Sequence, residues 1–169
     1  LPQPGRSSHK RNEGIGEEMK FYSTKTYGHD VGLSCAFRQW RADHSHCKYL
    51  HGYSLAFTLT FSSEKLDSRN WVADFGGLKP IKAFLERSFD HKVAVASDDP
   101  ELELLRAAEK AGLVQLTEME AVGCEMFAKY VYDYVRVWLT TSMPHVELVR
   151  VDVREHGANS ASYGQSEFR

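Results

Sequence analysis

The chain has 169 residues, 42% of them hydrophobic and 26% charged, and its formal net charge is −2. This length and hydrophobic content predict a single domain with its own core. The balanced charge gives no strong basic field, which argues against nucleic acid as a partner. No apolar run approaches the roughly 20 residues of a membrane helix, and the first residues lack the apolar block of a signal peptide. We therefore expect a soluble, cytoplasmic protein without a membrane partner.

The N-terminal residues and the cysteines bear on organisation and compartment. Residues 1–18 mix Pro, Gly, Ser and charges of both signs without periodicity, so we expect a disordered leader followed by one domain over residues 19–169. Cys35, Cys47 and Cys124 are odd in number and widely spaced, which favours a reducing compartment over a disulfide scaffold. Cys35 and Cys124 lie in apolar patterns that indicate core positions.

The first half of the domain has the composition of strands. KFYSTKTY and LSCAFRQW are rich in aromatic, β-branched and apolar residues, and the glycine-bounded GHDVG between them predicts a turn. In YSLAFTLTFS, residues 53–62, large apolar residues alternate with small or polar ones, which is typical of a strand with one buried face. WVADF, residues 71–75, predicts a further short strand.

The second half has the spacing of helices. Apolar residues recur at helical intervals at Leu78, Ile81, Leu85 and Phe89. Pro80 fits the first turn of that helix. A second helix is predicted from an N-cap at Asp99 to Gly112, which lies past its end, and a third over residues 124–139. Residues 146–156 alternate again as a strand. Together these elements predict an α+β fold in which helices cover one face of an antiparallel sheet.

The most unusual stretch is HSHCKYLHGY, residues 44–53. His51 and Tyr53 are two residues apart at the start of a strand, so their side chains point to the same face. Histidine at both places would be a strong two-ligand metal signal, whereas histidine with tyrosine is a weak one. His44 and His46 lie in a loop, where spacing fixes little. The residues alone leave a metal site and a solvated loop both open.

Three further positions carry possible acid–base chemistry. Cys47 lies between His46 and Lys48, whose positive charge would favour the thiolate, although an inert cysteine fits equally well. Asp90 and His91 are adjacent, and because neighbours in an extended strand do not face each other, we expect either that they serve different partners or that Asp90 only caps the end of the preceding helix. Glu155 ends a strand, where its carboxylate can meet water or bind a ligand through two hydrogen bonds.

Five segments occur in a characteristic order. They are Cys47 followed after three residues by HGY, WVADFGGLK at 71–79, FDHK at 89–92, CEMFAKYVYDYV at 124–135 and VREHGANSASY at 153–163. In this order the chain resembles the 6-pyruvoyl-tetrahydropterin synthase and 6-carboxytetrahydropterin synthase family over most of its length. The resemblance lies in the ordered coincidence, since no one motif is decisive.

The resemblance implies a fold, an assembly and a chemistry. The fold would be the tunnelling fold, an antiparallel sheet with two helices on one face, and the assembly a ring-based homo-oligomer such as a hexamer with active sites between subunits. The substrate would be 7,8-dihydroneopterin triphosphate, and a zinc ion would act on its side-chain oxygens as a Lewis acid. Cys47 would be the proton-abstracting base, Asp90 and His91 the proton relay, and Glu155 the anchor of the pterin ring.

The zinc ligands are where the sequence departs from this family. The family binds zinc through three histidines, two of them in His-Gly-His, and Tyr53 stands in place of the second. One alignment puts Phe37 at the remaining ligand position. Another makes His29 that ligand, and the candidate zinc set is then His51 with His29 and His46.

A second departure is the segment near 98–121, which is longer than the family requires. Basic side chains that could meet a triphosphate are Arg38, Arg41, Lys48 and Lys92. The leading hypothesis is a 6-carboxytetrahydropterin synthase that supplies queuosine-type deazapurines. The alternatives are a 6-pyruvoyl-tetrahydropterin synthase, a metal-free pterin-binding paralogue and a zinc-stabilised structural domain.

Overall fold

The computed structural model describes residues 19–166, so the predicted leader at 1–18 lies outside the described residues. Within them the strands are β1 Phe21–Tyr27, β2 Leu33–Phe37, β3 His51–Ser63, β4 Lys92–Ala96, β5 Leu116–Met119, β6 Glu147–Arg154 and β7 Ser160–Gly164. The α-helices are α1 Lys79–Phe89, α2 Leu102–Lys110 and α3 Cys124–Ser142. None of these helices is both long and apolar enough to cross a membrane.

The long strand β3 organises the sheet. The strand order is β5-β4-β2-β3-β6-β7, and β1 also pairs with β3. The first part of β3 pairs with β2, with His51 opposite Phe37, while the last part pairs with β1, with Ser63 opposite Phe21. Among the strands of residues 19–166, only the pairings of β4 with β2 and with β5 are parallel. The predicted α+β fold with a mostly antiparallel sheet is therefore confirmed.

The core lies between β3 and two helices. The large apolar side chains that alternate along β3 are completely buried, as the period-two pattern predicts. On the same face, Phe57 of β3 contacts Phe89 of α1, with ring centroids 4.9 Å apart, and Phe89 contacts Phe127 of α3 at 5.3 Å. The rings of Phe84 and Tyr134 stack where α1 meets α3, with centroids 3.6 Å apart. The two helices thus cover one face of the sheet, as predicted.

Two predicted elements differ from the structure. WVADF is not a strand: the chain bends there, because the carboxylate of Asp67 accepts the N–H groups of Arg69 and Trp71, and a short 3-10 helix follows at Phe75–Leu78. Helix α2 begins only at Leu102. After α2 the chain forms the strand β5, which no predicted element covers. It extends the sheet through a parallel pairing with β4.

Candidate active site

A cavity of about 290 Å³ lies where β2 and β3 meet the start of α3 and the turn from β6 to β7. Its walls include Cys47, His51, Tyr53, Cys124 and Glu155. Titratable and nucleophilic groups from four separate parts of the chain therefore meet in one place. A larger groove of about 450 Å³ lies between β1 and residues 66–76, but its described walls carry no histidine or cysteine and only one carboxylate, that of Asp74. We therefore place the candidate site in the smaller cavity.

The pairing of β2 with β3 sets the floor of this cavity. His51 lies opposite Phe37, and Tyr53 lies opposite Cys35, so these four side chains share one face of the sheet. Gly52 lies between them on the other face, where a Cβ atom would be 3.0 Å from the carbonyl oxygen of Cys35. The HGY motif therefore lets the two backbones approach closely and directs His51 and Tyr53 into the cavity.

A 3-10 turn brings Cys47 to the rim. The turn spans His46–Lys48, and the hydroxyl of Ser45 accepts the N–H of Cys47 at 3.1 Å. The carbonyl of Cys47 accepts the N–H of Gln39 at 2.8 Å, which holds this turn against the end of β2. Cys47 is an exposed free thiol, so it is both accessible and fixed at the edge of the cavity.

Cys124 is a cavity residue that the sequence analysis assigned only to the core. It begins α3, and its thiol lies beside Glu155 in the cavity. Burial, and then the negative charges of Glu155 and Glu125, raise the pKa of Cys124 to about 12. Burial also raises the pKa of Tyr53, with further contributions from Glu155, Cys47 and Cys124. In the sequence, Cys124 directly precedes Glu125 at the start of the segment CEMFAKYVYDYV. This position was the one signal that could have indicated a role for Cys124 in the site.

Asp90 and His91 face each other, contrary to the expectation that they serve different partners. The Nδ1–H of His91 donates to Asp90 Oδ1 at 2.6 Å. His91 has φ 55°, a left-handed rather than an extended conformation, and this lets neighbours in sequence come together. The side chain of His91 is 84% exposed.

This pair is remote from Cys47 within one chain. Lys92, the next residue, lies beside Cys35 in the parallel pairing of β4 with β2. His91 therefore lies next to the start of β2, whereas Cys47 lies next to its end. These two places are at least three strand residues apart, which corresponds to roughly 10 Å. Neither Asp90 nor His91 lines the cavity that contains Cys47 and Glu155.

The candidate zinc histidines are not brought together. His29 donates from Nδ1 to the carbonyl of Ser54 near the start of β2, while His51 donates to the carbonyl of Tyr49 at 2.7 Å near its end. His46 lies near His51 in a shallow cleft that also contains Cys47. Among residues 19–166 no three His, Cys, Asp or Glu side chains are grouped as a metal site. The neighbours of His51 on the sheet are the rings of Phe37 and Tyr53, so the residues present do not fit a three-histidine zinc ion.

Two of the basic candidates for phosphate are held by the segment at 98–121. Arg38 donates two hydrogen bonds to Asp99, one of them 2.9 Å long, and the Asp99 side chain is only 1% exposed. These bonds hold the pKa of Asp99 below its usual range. Arg41 pairs with Asp98 at 2.8 Å. The charge of each arginine is therefore matched by a carboxylate of this chain.

The other two basic candidates also have contacts. Lys92 donates to the side-chain oxygen of Gln115 at 2.6 Å, and the ammonium group of Lys48 lies over the ring of Tyr49, 5.3 Å from its centroid. Of the four, Lys48 is the one that adjoins Cys47 at the rim of the cavity.

Comparison with known proteins gives consistent results. The sequence profile of the family described as 6-pyruvoyl tetrahydropterin synthase matches residues 29–166. The chain is 30% identical to the 6-carboxy-5,6,7,8-tetrahydropterin synthase of Aquifex aeolicus over 121 residues, which is 69% of this chain and 75% of the relative.

Solved structures share the fold. An uncharacterized protein, WS1659 of Wolinella succinogenes, superposes with a TM-score of 0.75 at 18% identity, covering 88% of this chain and 99% of that one. The 6-pyruvoyl tetrahydropterin synthase of Caenorhabditis elegans superposes with a TM-score of 0.55 at 16% identity, covering 88% and 96%. At these identities the likeness concerns the fold alone.

Proposed function

The chain belongs to the 6-pyruvoyl tetrahydropterin synthase family of pterin lyases, and from this premise we propose that it is a 6-carboxy-5,6,7,8-tetrahydropterin synthase acting on 7,8-dihydroneopterin triphosphate. The observation that carries the proposal is the single cavity that joins the exposed thiol of Cys47 to the carboxylate of Glu155. The Aquifex relative supports the choice of product. Such a product would feed the synthesis of queuosine-type bases in the cytoplasm.

Glu155 would hold the pterin ring. A carboxylate can accept two parallel N–H groups, and the amino group and adjacent ring nitrogen of a pterin offer that arrangement. The thiol of Cys124 lies beside the same carboxylate, and a hydrogen bond from it would help to fix the orientation of Glu155. Cys124 would act as a positioning residue, not as a second base, because burial and acidic neighbours keep it protonated at neutral pH.

Cys47 would remove the carbon-bound proton of the substrate side chain. A thiolate is a competent base near neutral pH, and this thiol lines the same cavity as the proposed ring anchor. A ring held by Glu155 would present its side chain toward the rim where Cys47 lies. The proton would pass from carbon to sulfur, leaving Cys47 as a thiol that must be deprotonated before the next turnover.

The relay of Asp90 and His91 would come from a second copy of the chain. Within one chain the pair lies at the other end of β2 from Cys47, and the imidazole of His91 projects into solvent. A homo-oligomer with sites between subunits would bring the imidazole of one copy to the thiol of the next. This reading accounts for an exposed hydrogen-bonded pair with no other partner among the described residues.

The activity test uses the purified full-length chain with 7,8-dihydroneopterin triphosphate, and mass spectrometry identifies the pterin product. We expect the 6-carboxy product, and a loss of at least about a hundredfold in Cys47→Ala. His44→Ala, a change in the same loop, is the matched control and should retain activity. A 6-pyruvoyl product would identify the alternative synthase. Pterin binding without any turnover would identify a binding paralogue, and both results would contradict the proposal.

Complementation tests the shared site. Cys47→Ala and His91→Ala should each be inactive alone, while co-expressed chains should regain roughly a quarter of wild-type activity, because random assembly pairs an intact thiol with an intact relay at that frequency. Mixtures that stay inactive, although they exchange subunits, would place thiol and relay in the same chain.

A further inference from the structure

The position where the resemblance places zinc is a cluster of aromatic rings in this chain. Phe37, His51 and Tyr53 project from facing positions of β2 and β3. The ring centroid of His51 lies 5.5 Å from that of Phe37 and 5.5 Å from that of Tyr53, and the third side of the triangle is 6.2 Å. The backbone thus keeps three convergent side chains, but only one of them is an imidazole.

This cluster is poorly suited to a metal ion. Zinc is held by thiolate, imidazole or carboxylate donors, usually four in number with water. Phe37 has no donor atom, is 2% exposed and packs edge-on against Phe127 of α3, with centroids 5.0 Å apart. An ion at the centre of the triangle would lose water on the side of Phe37 and gain nothing there.

No other donors complete the set. No group of three possible ligands occurs in the described part of the chain. His29 lies beside Ser54 near the start of β2, whereas His51 lies at its end, and this separation removes the histidine of the second alignment. The alignment with Phe37 at the third ligand position is the one that agrees with the ring geometry.

Tyr53 is the member of the cluster that carries a hydroxyl group. Its ring lies between those of His51 and His156, at centroid distances of 5.5 and 5.9 Å. It lines both the cavity of Glu155 and the adjoining cleft of Cys47. A phenol carries one O–H donor, and a fixed donor near a developing negative charge lowers its energy without a metal.

We propose that this chain binds and polarises its pterin without zinc, and that the hydroxyl of Tyr53 donates the hydrogen bond to the substrate side-chain oxygen. The inference rests on the proposed function for the identity of the ligand. Tyr53 keeps its proton throughout. When Cys47 takes the proton from the hydroxyl-bearing carbon next to the ring, the electron pair left behind moves into the adjacent C=N bond of the dihydropterin, whose nitrogen takes a proton from solvent, while the hydrogen bond from Tyr53 holds the hydroxyl oxygen on the same carbon.

Metal content is the first test. The wild-type chain, incubated with zinc, dialysed and analysed by elemental mass spectrometry, should retain essentially none. The variant Phe37→His/Tyr53→His restores three imidazoles and should retain about one zinc per chain. The variant Phe37→Leu/Tyr53→Phe is a matched control with the same two positions changed and no new donor. A wild-type chain that keeps one zinc, lost in His51→Ala, would overturn the inference even if the histidine variant fails to fold.

Ligand binding is the second test, with neopterin as the fluorescent probe. Tyr53→Phe removes only the hydroxyl and should weaken binding about fivefold to tenfold, the usual effect of one lost hydrogen bond. Tyr163→Phe, on β7 outside the cavity, should bind as the wild type does. Equal affinities in all three proteins would remove Tyr53 from the site and overturn the inference.

Chelation separates this inference from the proposed function. Turnover that is unchanged by a zinc chelator supports both. Turnover that stops on chelation and returns with zinc keeps the synthase activity and overturns the inference. Metal-free neopterin binding that depends on Tyr53, without any turnover, supports the inference and contradicts the synthase.

Discussion

His91 donates a hydrogen bond to Asp90, its neighbour in sequence, across 2.6 Å. The contact requires the left-handed backbone of His91, with φ 55°, at the turn from α1 into β4. Left-handed backbone is unfavourable for most residues with a Cβ atom. Strained backbone conformations are frequent at functional sites. Here the strained turn brings together an acid and an imidazole that are exposed to solvent.

His91→Gly should separate the role of this pair in activity from its role in folding. Glycine adopts positive φ freely, so the free energy of unfolding should change by no more than about 1 kcal/mol. Activity should fall by about a hundredfold or more, because the imidazole is gone. Denaturant titration and turnover assays on the same preparation measure both. His91→Asn, which also tolerates this backbone, is the control, and full activity in either variant would exclude the pair from catalysis.

Asp99→Asn should destabilise the chain far more than Asp98→Asn. Asp99 is buried, bonds Arg38 twice and also accepts the N–H of Glu101 at 2.8 Å. Removal of its charge leaves Arg38 uncompensated, at a cost of about 2–4 kcal/mol. Asp98 and Arg41 are both exposed, and such pairs contribute little to the free energy of unfolding. Urea unfolding of the two variants gives the comparison, and equal losses would contradict it.

The same carboxylate should make stability depend on acidic pH. Because Arg38 lowers the pKa of Asp99 in the folded state, folding is favoured when Asp99 is ionised. That stability is fully present above the unfolded pKa of about 3.9 and is lost as the pH falls through the lower folded pKa. The free energy of unfolding should be measured at several pH values below about 5. It should fall less steeply with decreasing pH in Asp99→Asn than in the wild type. An unchanged pH profile would mean that the pair does not form in solution.

Alkylation should distinguish the three cysteines. Burial raises the pKa of Cys35 to about 11, and burial with its acidic neighbours raises that of Cys124 to about 12. At pH 8 both are protonated and shielded, whereas Cys47 is exposed. Iodoacetamide followed by peptide mass spectrometry should label Cys47 alone in the folded protein. All three should react in denaturant, and native labelling of Cys124 would contradict its burial beside Glu155.

Much of the fold could be predicted from periodicity, because burial on one face imposes it. The alternation along β3 and the helical spacing in α1 and α3 gave those elements correctly. Strand β4 is short and almost wholly buried, so it lacks alternation, and β5 is an edge strand of four residues, too short to show a period. The site was harder to foresee. The contact of Asp90 with His91 depends on one unusual φ value, and the cavity that contains Cys124 and Glu155 joins residues far apart in the chain, so no local pattern announces either.

Gly164→Ala should loosen one wall of the cavity. A Cβ atom at Gly164 would lie 2.2 Å from the carbonyl oxygen of Val149 and 2.8 Å from the Cα of Arg150, and backbone atoms cannot turn aside. Strand β7 would shift away from β6, at a cost of about 1–3 kcal/mol. Gly157→Ala, with open space around its added methyl group, should be close to neutral. Thermal unfolding of both variants measures the difference, and equal melting temperatures would contradict it.

The pairing of β3 with β6 has a consequence during synthesis. It sets Phe57 against Val153, on the order of a hundred residues later, and such non-local contacts slow folding. At about 5–20 residues per second, β6 leaves the ribosome at least several seconds after β3. Until then one edge of β3 stays unpaired. The nascent chain should therefore depend on chaperones in this interval, and it should aggregate most readily when translation pauses between α1 and β6.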